Sequence, residues 1–103
     1  MIDVGRLRAV LAETRALLDE AALRGGRAAG DVELVLAGKY MPADDVPALL
    51  EAGVSVVGEN RLQDLQEKAV RAEGRLTFDF IGHLQRRKVR DVLPLVRLIH
   101  SVD

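Results

Sequence analysis

Apolar positions along the chain alternate between two periods. Over residues 3–23, Val4, Leu7, Val10, Leu11, Leu17, Leu18 and Ala21 recur at helical spacing, which predicts an amphipathic helix that Gly25-Gly26 stop. The short β-branched run 33–37 reads as a buried strand. A second helix starts at Pro42 or Asp44. Pro47 falls in its first turn, where a missing N–H costs little, and Gly53 closes it. The pattern then repeats: a strand over 54–57, a helix over 61–72 with Leu62, Leu65, Ala69 and Val70 on one side, and a strand over 76–81. A short helix over 85–93 is stopped by Pro94, and a last strand covers 96–100. Strand starts thus recur roughly every 20 residues, which suits a strand, a short helix and two short loops.

Strands alternating with helices imply right-handed βαβ units and a parallel sheet. The expected fold is α/β: one domain over 1–103, a leading helix followed by (βα)3β. Four parallel strands are the N-terminal half of a (β/α)8 TIM-type barrel, with a small open sheet as the alternative. A half barrel leaves two strand edges and an apolar inner face uncovered. Self-association, or a missing C-terminal half, is therefore expected to complete it.

Composition narrows the classes of function. Charged residues make up 30% of the 103 and the net charge is -1, so nothing draws the chain to nucleic acid or an anionic membrane. The basic stretch 86-RRKVR-90 reads as a solvated helix face, since aromatics for base stacking are nearly absent. No apolar run approaches the ~20 residues of a membrane span. The N-terminus mixes acids with arginines and lacks the apolar core of a signal peptide. There is no cysteine, which excludes disulfides and thiolate chemistry and fits a cytoplasmic protein. His83 and His100 fall on different strand ends, so no metal site is expected. The glycines at 25, 26 and 30 follow a helix, not a strand, so they form no phosphate loop.

In parallel α/β folds chemistry gathers at the carboxyl ends of the strands. Those ends carry Lys39, then Gly58-Glu59-Asn60-Arg61, then Gly82-His83-Leu84-Gln85, then His100-Ser101-Val102-Asp103. Plainer roles exist: Asn60 as a helix N-cap, His83 in a similar structural role, Lys39 snorkelling to water. Lys39 stands out because the chain has 12 arginines and three lysines, Lys39, Lys68 and Lys88. A primary amine able to form a Schiff base is what lysine offers and arginine does not.

Four blocks, 34-LVLAGKYMP-42, 57-VGENRLQDLQEK-68, 80-FIGHLQRRK-88 and 99-IHSVD-103, resemble the YggS/PROSC-type pyridoxal phosphate homeostasis proteins, relatives of the N-terminal barrel of alanine racemase. The resemblance covers the N-terminal half of a family member. It implies a barrel that holds pyridoxal 5′-phosphate (PLP) as a Schiff base on Lys39, with Asn60, His83 and Ser101 as further cofactor-binding residues. It implies no established reaction, so the chain is expected not to be an enzyme. Imine formation requires an unprotonated amine, which burial near the other strand ends favours. Two departures stand out. Gly38-Lys39-Tyr40 stands where relatives often have Ser-Lys-Thr, and Phe78-Asp79 stands where they commonly have Trp-His. The serine- and glycine-rich phosphate segment and the arginine near the pyridine nitrogen also lie outside these 103 residues. The rival readings are a PLP-dependent amino-acid racemase and a truncated remnant that does not bind PLP tightly. The racemase needs a second base facing the substrate, and Tyr40, beside Lys39, is poorly placed for that.

Overall fold

The computed structural model describes residues 2–39 and 41–100. A long helix, α1 (Val4–Arg24), leads into β1 (Leu36–Ala37), α2 (Val46–Glu51), β2 (Val56–Glu59), α3 (Leu62–Ala72), β3 (Thr77–Phe80), α4 (Val89–Val92) and β4 (Leu98–Ile99). The four strands form one sheet in the order β1-β2-β3-β4, and every pairing is parallel. This is the expected leading helix and (βα)3β.

The strands are shorter than their apolar runs. The run 33–37 yields only Leu36–Ala37 and the run 96–100 only Leu98–Ile99, because each edge strand has one neighbour to pair with. β2 lies two residues later than its apolar run and takes in Gly58 and Glu59. Its partner β3 continues to Phe80, and Glu59 pairs in register with Phe80.

The helices follow their local signals. Asp3 caps α1 by accepting from the Arg6 N–H at 3.0 Å. Pro47 occupies the first turn of α2, and Gly53 follows its cap with φ 91°, a left-handed conformation open to glycine. Pro94 does not end the last helical segment. It starts a final 3-10 turn, Leu93–Leu95, where no N–H is required of it. In α3 the buried stripe is Leu65, Lys68 and Ala72, while Val70 is 76% exposed. Val70 lies about 140° around the helix from Leu65 and cannot share its face. In α1, Val10 and Leu17 are likewise exposed, and Ala22 is its one buried residue among those described.

Side chains alternate across the sheet. Val57, Phe78 and Phe80 face the helices and form the core with Val46, Leu49, Leu65, Leu84 and Val92. The opposite face is less apolar than the strand pattern implies. Asp79 lies there, fully buried. It accepts from Arg97 Nε at 3.1 Å and Nη2 at 2.7 Å, and His100 Nε2 lies 2.9 Å from its Oδ2. Arg97 Nη1 continues to Glu33 Oε2 at 2.5 Å. Glu33 precedes β1 and Arg97 precedes β4, so the network links the two edges of the sheet. Burial pushes the Asp79 carboxyl up, but the hydrogen bonds and charges of Arg97 and His100 outweigh it and hold the group below its ordinary value. Among the described residues, no helix is long and apolar enough to cross a membrane.

Candidate cofactor site at the ends of β1 and β2

The carboxyl ends of β1 and β2 bring two of the four expected residues together. Lys39 and Asn60 line one open cleft with Arg61 and Asp64. Register explains the meeting. Ala37 pairs with Gly58, so the chain leaves β1 and β2 at nearly one level, with Lys39 and Asn60 just beyond the two strand ends. Lys39 is exposed and Asn60 half-buried. The lysine thus reaches the cleft from the surface rather than from the burial expected of it.

Asn60 is held from behind. The loop after β3 brings Gly82 so close that a Cβ there would lie 2.4 Å from the Asn60 carbonyl oxygen and 2.7 Å from its Cα. Only glycine permits that approach. Asn60 is not the cap of α3: Arg61 holds that position and makes no side-chain cap bond. Its Oδ1 is instead buried without a hydrogen-bond partner among the described residues, and such an atom seeks a donor.

Of the remaining expected residues, His83 sits exposed in the loop after β3 and is not among the residues lining the cleft. It does not cap the following turn either, since Gln85 holds that position. Ser101 lies outside the described residues, as does Tyr40.

Sequence reasoning passed over a buried pair behind the cleft. Glu59 and Lys68 are 0% and 2% exposed. Lys68 Nζ donates to Glu59 Oε2 at 2.8 Å and to the carbonyl of Gly38 at 2.6 Å. Burial pushes the Glu59 carboxyl above its ordinary value, and the hydrogen bond and charge of Lys68 oppose that rise only in part. The available signal was Lys68 itself, a charged residue on the apolar stripe of α3.

The group implied by the family motifs is compatible with this cleft. A primary amine and the Arg61 guanidinium share one opening with a single carboxylate, Asp64, which leaves an excess of positive charge for a small, polar, anionic aldehyde such as PLP.

No family model matches the chain. It is 32% identical over 103 residues to the pyridoxal phosphate homeostasis protein of Mycobacterium leprae, covering 90% of this chain and 40% of that protein. It is 40% identical over 96 residues to the protein of that name from Deinococcus radiodurans, covering 92% and 43%. The chain therefore spans about two-fifths of the length of these relatives. A crystal structure of an unknown protein from Bifidobacterium adolescentis matches all of the chain and 48% of its own length, with a TM-score of 0.79 and 30% identity. PipY of Synechococcus elongatus, solved without PLP, matches 70% of the chain and 34% of its own length, with a TM-score of 0.64 and 34% identity. Over about nine-tenths of its length, the chain is thus similar to two-fifths of the length of these pyridoxal phosphate homeostasis proteins.

Proposed function

We propose that the chain binds PLP covalently through Lys39 and serves as a carrier of the cofactor without turning over a substrate. The observation that carries this reading is the meeting of Lys39 with Asn60 and Arg61 in one cleft at the ends of β1 and β2. When bound, PLP supplies an aldehyde that condenses with a primary amine and releases water. The chain's own residues do the rest. Lys39 offers the amine at an exposed strand end. Asn60 orients it through the amide, and Arg61 contributes the positive charge that an anionic ligand requires. The lack of cysteine suits the reducing cytoplasm, where we place the protein.

Mixing the purified chain with PLP tests this through the visible absorption band of the lysine-bound cofactor. The band appears with the wild type and is absent from Lys39→Ala. A band that persists unchanged in Lys39→Ala contradicts the reading. Turnover in an amino-acid racemisation assay would instead make the chain an enzyme.

A further inference from the structure

The cleft uses Lys39, yet the chain buries a second lysine directly behind it. Lys68 Nζ donates to the carbonyl of Gly38 at 2.6 Å. The same carbonyl accepts from the Met41 N–H at 3.0 Å and so closes the turn that carries Lys39. The Gly38 N–H is in turn bound to the carbonyl of Gly58 at 2.9 Å. The residue before Lys39 is therefore fixed on one side by β2 and on the other by Lys68. Glycine is the residue most free to rotate, so without the clamp the peptide plane leading into Lys39 loses one of the two hydrogen bonds on its carbonyl.

We propose that Glu59 and Lys68 are positioning residues: together they clamp the carbonyl of Gly38 and thereby aim the Lys39 amine into the cleft. This rests on the reading of Lys39 as the PLP-binding amine.

Three observations favour positioning over mere packing. A buried ion pair is a poor stabiliser, because its desolvation offsets its attraction and apolar residues of similar volume often serve as well. The pair is also not built to satisfy itself. Glu59 Oε2 receives Lys68, while Oε1 is buried without a partner among the described residues. Finally, the geometry is coupled to the residue beside Lys39. A Cβ on Gly38 would lie 2.1 Å from Glu59 Oε2 and 2.8 Å from Val57 Cγ1. The carboxylate keeps its place only while residue 38 has no side chain. Gly38 is thus part of the clamp.

The test uses the full chain with the double substitution Glu59→Gln/Lys68→Met, which removes both charges at near-constant volume and leaves no lone buried ion. Thermal unfolding establishes that the variant is folded, and Gly38→Ser provides a second, independent way to displace the carboxylate. Two measurements follow. One is the rate at which borohydride traps PLP on Lys39, identified by peptide mass. The other needs no cofactor: competitive acetylation of Lys39 against Lys88 by acetic anhydride, as a function of pH. We expect trapping to slow by roughly ten- to a hundredfold, the range that follows from misplacing a reacting group by about an ångström. The Lys39-to-Lys88 acetylation ratio shifts with it. An unchanged acetylation ratio across pH in the folded variants overturns the proposal. Failure of the wild type to trap PLP on Lys39 defeats the cofactor reading, and the acetylation ratio still decides the clamp.

Discussion

Two buried carboxylates sit one residue apart in register on the central strands and face opposite ways. Glu59 on β2 faces the helices, and Asp79 on β3 faces the side where the sheet is not covered by them. Both are 0% exposed, yet one is pushed above its ordinary value and the other held below it. At Glu59 burial, aided by the nearby Asp64 charge, outweighs the donor, and at Asp79 the donors outweigh burial. Asp79 has two guanidinium donors from Arg97 and a contact with His100. Glu59 has Lys68 alone, which it shares with the Gly38 carbonyl. Burial costs both groups, and only the well-supplied one recovers more than it loses. The side of the sheet that packs best therefore holds the less satisfied charge, and that charge lies directly behind Lys39.

The sharpest way to break this contrast is to remove one member of the Glu59–Lys68 pair. Lys68→Met leaves a carboxyl in the core with no donor and is expected to cost about 3–5 kcal/mol, read as a shift in the urea midpoint. The double variant Glu59→Gln/Lys68→Met is expected to cost much less, because no uncompensated charge remains. A smaller loss, about 1.5–3 kcal/mol, is expected for Asp79→Asn. It strips Arg97 of a charged partner, but Arg97 is 34% exposed and recovers part of the loss through water and Glu33. Glu33→Gln, at the exposed end of the same network, is expected to change stability by less than about 1 kcal/mol.

The two carboxylates also respond to pH with opposite signs. Asp79 titrates below its unfolded value, so its contribution is complete above that value and is lost as pH falls through the folded one. Glu59 titrates above its unfolded value. Its contribution is complete below that value and is lost as pH rises through the folded one. Urea midpoints measured between about pH 2 and pH 7 are therefore expected to fall less steeply toward acid in Asp79→Asn than in the wild type. In Glu59→Gln/Lys68→Met the opposing slope toward higher pH is expected to vanish.

Element order and strand direction were legible because hydrophobic period and punctuation by glycine and proline are local. Lys39 and Asn60 were legible for a related reason: parallel strands bring their carboxyl ends to one level, so position alone groups them. What failed depended on pairing between distant residues. Glu59 and Lys68 are nine residues apart and meet only because β2 extends through Glu59 and α3 folds back over it. A lysine on the apolar stripe of α3 was the trace of that pair. Asp79 was read only as a departure from the Trp-His that the resemblance implies, and its partner Arg97 lies 18 residues further on, beyond any local pattern. The inner face was expected to be apolar for the same reason, since alternation does not reveal that an arginine from one edge reaches a carboxylate at the other. Val70 failed differently: it is apolar but lies off the helical stripe, which counting by spacing could have shown.

Whether Lys39 is the PLP-binding residue is decided by reducing the PLP-treated wild-type chain with borohydride and locating the label by peptide mass. One dominant label on Lys39 is expected, with Lys68 unlabelled because that residue is 2% exposed and its amine already bonded. Label spread over Lys88 and the terminal amine, with Lys39 no richer than they are, would contradict it.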